Sequence, residues 1–178
     1  YEELLFRKKF DQYVVPSQFT YNKLLQLDID REKIAVIAHG IDTALFHPMG
    51  RNDELRTKLG FSPAEKIFLF SGRPSRMKGI EYLLEAAKKQ RGPFRLVLML
   101  AHQPYDEYAR VIKFIGDNKL SELVVVIEPV SHQEMPEYLA IADVVVIPSL
   151  TEEFCFLAAE TAAMKIPMIV SDVGALPE

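Results

Sequence analysis

The sequence has little of what marks several large functional classes. It has one cysteine among its 178 residues, Cys155, so no intramolecular disulfide can form and a reducing compartment is the expected setting. No apolar run approaches the length of a membrane-spanning helix, and no stretch reads as a secretory leader. Basic residues are not in excess. Twenty-one Lys and Arg against 25 Asp and Glu leave a net charge of -4, which gives no footprint for nucleic acid. An anionic ligand would have to be met by a local arrangement. The GxGxxG and GxxxxGK[ST] spacings are both missing. So are a cluster of metal-ligand residues and a defensible Ser/His/Asp set, and there is no internal repeat or low-complexity tract. With about half of its residues hydrophobic and a quarter charged, the chain has an ordinary globular composition. Its length suggests one domain, or one domain plus a fragment.

What the sequence does have is alternation. Tyr1 to Lys9 reads as a short helical segment, and Gln12–Val15 as a strand. Ser17 can cap a helix running to about Leu27. Lys33–Ala38 is a second strand, and Asp53–Leu59 a short helix closed by Gly60. Pro, Gly and charges collect over residues 47–63, where a domain boundary is expected. Beyond it, strands are predicted at Ile67–Phe70, Phe94–Leu100, Val124–Ile127, Val144–Ile147 and Pro167–Val170. Helices fall between them at Gly79–Gln90, at Tyr105–Asn118 with Tyr108, Ile112 and Ile115 on one side, and from a capping box at Ser131–Glu134 to about Ile141. A last helix covers about Phe154–Met164. Strands alternating with helices imply βαβ units, a parallel sheet and helices on both faces. The expected class is α/β, a Rossmann-like domain over residues 48–178, preceded in residues 1–47 by the tail of a second α/β domain. The chain opens directly on a helical pattern and stops just after a strand, so both ends are expected to be cut from something larger. The second domain is expected to lack its final strand and helices.

Two loops could carry chemistry. The first βα turn, Ser71-Gly72-Arg73-Pro74-Ser75-Arg76-Met77-Lys78-Gly79, places three cations ahead of a helix. A helix N-terminus adds free N–H groups and partial positive charge. Arg73 can grip a phosphate bidentately and Lys78 acts as a point charge; Arg76 is the one best read as a surface charge. Taken alone, the turn is equally a solvated basic loop. The second loop lies in VVVIPSLTEEFCFLAAETAAMK, Val144–Lys165. Its β-branched run stopped by a proline reads as a central parallel strand, and the helix after it has no polar face and should be covered on most sides. Glu160 nonetheless sits in that helix, with Phe156, Leu157, Ala163 and Met164 as its neighbours. A carboxylate on an apolar face is costly unless something polar meets it. Glu160 is therefore either at a helix edge reaching water or at a ligand site beyond the carboxyl end of a parallel strand. Glu152 lies at the mouth of the same helix, and such a pair suits an extended ligand carrying hydroxyls that donate. Complementation of the helix dipole is the plainer account of Glu153. Cys155 reads as a buried small residue, and His102 and His132 as solvated.

These residues, in this order, resemble a known family. Arg73 with Lys78-Gly79, then PSLTEEFCFLAAE, then SDVGALPE look like the donor-binding domain of retaining glycosyltransferases of family 4, with GT-B architecture, related to glycogen synthase, sucrose-phosphate synthase and mannosyltransferases. VVPSQFTYNKLL and KIAVIAHGIDTALFHP are similar to that family's passage from acceptor domain to donor domain. The resemblance implies transfer of a sugar from a nucleoside-diphosphate sugar, with UDP or GDP as carrier, to a sugar or lipid-linked acceptor, with retention of configuration. Arg73 and Lys78, with Gly72 and Gly79, would hold the pyrophosphate; Glu160 the ribose hydroxyls; Glu152 the donor sugar. Phe154, Cys155 and Phe156 would line the site, with N–H groups near the last two reaching the distal phosphate or sugar, and Val130 would frame the base. Arg73, Lys78 and Glu152 are the expected catalytic residues. No metal or other cofactor is implied, and no nucleic-acid partner. The expected location is cytoplasmic, with peripheral contact on the inner membrane face left open for the whole protein. Glu153 and Cys155 stand where the family usually has glycine, Ala101-His102-Gln103-Pro104 replaces a glycine-rich turn, and His39 replaces an Asn. A GT-B nucleotide-sugar epimerase and a catalytically silent nucleotide-binding or interaction module are the alternatives. This stretch alone is expected to bind donor without turnover, since a GT-B cleft needs both domains. Residues 1–47 are expected to pack back on the rest, pair with another copy, or lack order.

Overall fold

The computed structural model describes residues 10–178; the helix expected at Tyr1–Lys9 lies outside them. Two parallel sheets form. The small one pairs β1 (Tyr13–Val15) with β2 (Ile34–Val36) and is backed by α1 (Gln18–Gln26). Ser17 caps α1 as expected, its hydroxyl accepting from the Thr20 N–H at 3.2 Å. The large sheet holds β3 (Lys66–Gly72), β4 (Phe94–Leu100), β5 (Val124–Ile127), β6 (Val144–Ile147) and β7 (Met168–Val170), in the order β5-β4-β3-β6-β7. Its helices are α2 (Asp53–Lys58), α3 (Ile80–Lys89), α4 (Tyr105–Asp117), α5 (Met135–Leu139) and α6 (Phe156–Ala163). This is the Rossmann-like α/β arrangement expected from the alternation.

The central strands β3, β4 and β6 are covered on both faces, which is why their middles are apolar, while Ile169 and Val170 of the edge strand β7 are exposed. Ile67, Leu69, Val97, Val145 and Ile147 point into one core, which Phe46, Phe61, Leu139, Ile141 and Met164 complete. Phe70, Leu96, Leu98 and Leu100 point the other way, against Ile80 and Leu84 of α3 and Val111 and Ile115 of α4. On that second face Val146 and Ile169 flank an apolar groove of about 390 Å³.

Three local expectations change. In α4 the buried stripe runs through Val111 and Ile115, and Ile112 is 38% exposed. Residues one apart on a helix lie about 100° apart, so a stripe centred on Val111 turns Ile112 to the edge. The capping box at Ser131 forms, with the Ser131 hydroxyl donating to Glu134 Oε2 at 2.6 Å, but it closes turns ahead of a shorter helix. Helix α6 is not covered on most sides: Phe156 is 49% exposed, and the residues it buries deepest are the polar Glu160 and Thr161.

Residues 10–47 keep a small core of their own, built from Tyr13, Val15, Leu24 and Ile34, and touch the rest of the chain at a few points. Phe46 is buried in the core of the large sheet, and the Gln18 and Phe19 N–H groups at the start of α1 donate to the Glu178 carboxylate at 2.8 and 2.6 Å. The outer face of the small sheet stays open at Val14 and Val36.

At the amino end of the large sheet a buried cation fixes the frame. Arg56 of α2, only 2% exposed, donates to the Glu65 carbonyl, the Ile141 carbonyl and Asp143 Oδ2. Asp143 also accepts from the Ile67 N–H at 2.8 Å and from Lys66 Nζ at 3.0 Å. Burial pushes its carboxyl upward, but the Ile67 N–H, Lys66 and Arg56 together hold it below the ordinary value. A depressed carboxylate contributes stability that is present above the unfolded pKa and is lost as pH falls through the folded one. Asp143→Ala should therefore cost about 2–3 kcal/mol at neutral pH by leaving Arg56 unpaired. In urea melts at a series of pH values, the gap to the parent should close below pH 4; an unchanged midpoint at pH 7 would remove this network from the stability of the fold.

Candidate functional site

The strand order reverses at β3. β4 and β5 follow on one side of it, and the chain then returns to place β6 on the other. In an open parallel sheet the crevice for a ligand lies at that switch, beyond the carboxyl ends. The loop after β3, residues 73–79, and the loop after β6, residues 148–155, both leave the sheet there. These are the two loops singled out from sequence.

They are locked together. Gly79 has φ +68° and lies so close to the Pro148 carbonyl that a Cβ would clash with it. The Leu150 N–H donates to the Met77 carbonyl at 2.8 Å. Gly174, φ +59°, lies against the backbone of Glu152 in the same way, and the Ala175 N–H donates to the Glu152 carbonyl at 2.9 Å. Only glycine combines that backbone conformation with that approach.

Within this frame Glu152 is 7% exposed, and its Oε1 receives two donors, Lys78 Nζ at 2.5 Å and Ser149 Oγ at 2.7 Å. Arg73 is exposed and, among the described residues, makes no ion pair or hydrogen bond. It lines a cavity of about 190 Å³ together with Gly72, Met99, Pro129, Val130 and Met135. The loop carrying Val130 continues to His132, whose Nδ1 is 3.9 Å from Glu160 Oε1 and whose ring packs on Phe46 at 5.0 Å. Glu160 is buried and accepts no hydrogen bond among the described residues. Burial pushes its carboxyl up, partly offset by His132. The residue as a whole is 7% exposed, and its carboxylate faces the His132 loop.

The mouth is aromatic. His39 stacks on Phe156 at 5.2 Å and meets Phe154 edge-on at 5.0 Å. Glu153 points outward to Lys23 at 3.7 Å, so helix-dipole complementation is not its only contact. Cys155 is the N-cap of α6; burial raises its thiol pKa, which suits the reading of it as a small packing residue. His102 is exposed and paired with Glu128 at 2.8 Å. Among the described residues no group of three or more His, Cys, Asp or Glu is placed to hold a metal ion.

Three residues here escape sequence reasoning. Ser149 is buried beneath Glu152, and its only signal is its place directly after β6. His132 faces Glu160 across two elements, where a lone loop histidine reads as solvated. Arg110 of α4 pairs with Glu81 and Glu107 and reaches the Pro74 carbonyl at 3.5 Å, bracing the basic loop from behind. Its i, i+3 spacing from Glu107 suggests only a surface pair.

Comparison with known proteins bears on this arrangement. The family model for glycosyl transferases group 1 matches residues 51–178. The D-inositol 3-phosphate glycosyltransferase of Pseudarthrobacter chlorophenolicus is 32% identical over 152 residues, covering 83% of this chain and 36% of that protein. The enzyme of that name from Mycolicibacterium smegmatis is 30% identical over 175 residues, covering 94% of this chain and 39% of that protein. The chain thus spans well under half the length of these curated relatives. Among solved structures, the sucrose-phosphate synthase of Thermosynechococcus elongatus superposes with a TM-score of 0.84 at 28% identity, over 98% of this chain and 44% of that one. HepE of Anabaena, solved with UDP-glucose, superposes with a TM-score of 0.87 at 19% identity, over 98% of this chain and 50% of that one. The fold is the Rossmann-like half of the GT-B arrangement these structures share. With its family model matched across residues 51–178, the chain belongs to the group 1 glycosyl transferases.

Proposed function

We propose that this chain carries the donor half of a glycosyltransferase that moves a sugar from a nucleoside-diphosphate sugar to an acceptor hydroxyl with retention of configuration. The observation that carries the reading is the convergence of Arg73, Lys78, Glu152 and the loop after β5 at the switch point of the sheet. The cavity behind Arg73 is walled by the loop after β5, and the same loop reaches Glu160 through His132. At the other end Lys78 and Glu152 stand together at the switch point. A donor fits this arrangement with its base against Val130, its ribose hydroxyls on Glu160, its diphosphate on Arg73 and Lys78, and its sugar facing Glu152. Gly72 and Gly79 let the backbone come close, and Phe154, Cys155 and Phe156 close the sugar end. Catalysis rests on side-chain cations neutralising the leaving diphosphate as the bond from the sugar's anomeric carbon breaks. UDP and GDP sugars are the first candidates, since relatives solved with UDP or UDP-glucose share the fold. Residues 10–47 belong, in this reading, to the domain that binds a sugar or lipid-linked acceptor, and residues 48–178 form the donor domain. The location is cytoplasmic, with membrane contact, if any, peripheral.

The phosphate assignment is tested by comparing nucleosides with nucleoside diphosphates in calorimetry. Arg73→Ala and Lys78→Ala should each weaken UDP or GDP binding tenfold or more, roughly 1.5–3 kcal/mol for a hydrogen bond to a charged group. The loss should shrink as salt rises and screens the charge, and the bare nucleoside should be spared. Equal losses for nucleoside and diphosphate would remove both residues from a phosphate site.

Glu160 makes a second test, because a group kept for a ligand should be costly without one. Its raised folded pKa means that the folded chain binds the proton more tightly than the unfolded chain does. Its contribution to stability is therefore fully present below the unfolded pKa and is lost as pH rises through the folded one. Glu160→Gln should melt higher than the parent at pH 8, with the difference vanishing towards pH 4. The same variant should bind nucleoside diphosphate more weakly by about 1.5–3 kcal/mol. Lower melting at every pH with unchanged affinity would make Glu160 a structural residue.

A further inference from the structure

In the ligand-free chain the two groups assigned to the diphosphate and the sugar occupy each other. Lys78 Nζ lies 2.5 Å from Glu152 Oε1, and Ser149 donates to that same oxygen at 2.7 Å. Arg73, a second cation of the loop, has no such partner among the described residues. The carboxylate is also held independently of Lys78, by the buried Ser149 hydroxyl and by the backbone clamp of Gly174 and Ala175 on Glu152. The clamp fixes the backbone at Glu152, and Ser149 gives the carboxylate a second donor where it stands.

We infer that Glu152 is a specificity-determining residue that competes with the diphosphate for Lys78, so that the site favours an intact nucleoside-diphosphate sugar over the nucleoside diphosphate left after transfer. The inference rests on the donor-site reading above and assigns this carboxylate a task beyond contact with the sugar.

The physical argument concerns what replaces the ion pair. A diphosphate that takes Lys78 must share its ammonium with a carboxylate 2.5 Å away, or displace that carboxylate, and in either case bring its own negative charge beside it. In a partly dry site this is costly. A carboxylate only accepts hydrogen bonds, so the cost is offset only by a ligand bringing donors. The hydroxyls of a bound sugar are such donors. A nucleoside diphosphate has no donor beyond its ribose and base, which face Glu160 and Val130. The intact donor therefore satisfies Glu152 as it takes Lys78, whereas the product leaves the carboxylate with Ser149 as its remaining donor. Once the sugar has moved to the acceptor, Glu152 returns to Lys78 and weakens the hold on the diphosphate, which assists product release.

The test uses UDP and UDP-glucose as probes, in calorimetry on the parent chain, Glu152→Gln and Ser149→Ala. Glu152→Gln keeps the size of the side chain and an oxygen for Ser149 but removes the competing charge. It should bind UDP about three- to tenfold more tightly than the parent, the scale of one ion pair, and its preference for UDP-glucose over UDP should fall by at least as much. Ser149→Ala strips the carboxylate of its second donor and leaves it more dependent on Lys78, so it should bind UDP more weakly, a change of opposite sign. This second arm keeps the competitor role open to refutation even if Glu152→Gln fails to fold. UDP binding equal to or weaker than the parent in a folded Glu152→Gln, or equal or tighter in Ser149→Ala, would overturn the competitor role. If Lys78→Ala still weakened UDP in that case, the donor-site reading would stand. Absence of binding to the parent by UDP, GDP, ADP and their sugar conjugates would overturn the donor-site reading itself.

Discussion

The pairing of β3 with β6 is the contact on which the rest depends. Only two residue pairs define it, Phe68 with Val144 and Leu69 with Val145. It joins strands that are distant in sequence, and it creates the crevice. The two loops that carry Arg73, Lys78 and Glu152 leave the carboxyl ends of these two strands. Gly79 against Pro148 and Gly174 against Glu152 convert a shared sheet edge into fixed distances between side chains. The opposite end of the sheet carries the other tightly coupled polar group, Arg56 with Asp143, which fixes where β6 enters. Stability and chemistry are thus divided between the two ends of the same strands.

The buried carboxylates show how that division is maintained. Asp143 is met by an N–H and two cations and stays charged at little cost. Among the described residues the Glu160 carboxylate has no polar partner nearer than an imidazole 3.9 Å away. A carboxylate that the fold leaves wanting is a destabilising element unless something outside the fold completes it. Glu152 stands between the two cases, satisfied by Lys78 only while Lys78 has no other anion to hold. The aromatic mouth of His39, Phe154 and Phe156 and the Lys23–Glu153 pair tie the segment before residue 47 to the loop carrying Glu152. A movement of the first segment would therefore be felt at the loop carrying Glu152.

Much of this is legible in the sequence because it is written in local patterns. The β-branched runs at Val124–Ile127 and Val144–Ile147 mark buried parallel strands, and Ser17 marks a helix start. Glu160 is visible because an acid amid Phe156, Leu157, Ala163 and Met164 breaks the pattern of its helix. What cannot be read depends on which distant residues meet. Burial of Arg56 needs the Glu65 and Ile141 carbonyls to converge, and Ser149 matters only because Glu152 folds back over it. Tertiary packing sets the phase of α4, which turns Ile112 outward, and leaves α6 more open than its composition suggests. The meeting of Lys78 with Glu152 needs the βα topology to bring the two loops to one switch point.

The central claim is that the surface running from Val130 past Arg73 and Lys78 to Glu152 holds a nucleoside-diphosphate sugar. A crystal structure of the chain grown with UDP-glucose or GDP-mannose tests it most directly. The account predicts the diphosphate within hydrogen-bond distance of Arg73 and Lys78, ribose hydroxyls on Glu160, sugar hydroxyls on Glu152, and a Lys78–Glu152 separation longer than the 2.5 Å of the free chain. A bound nucleotide whose phosphates lie away from this loop, with Lys78 still held by Glu152, would contradict it.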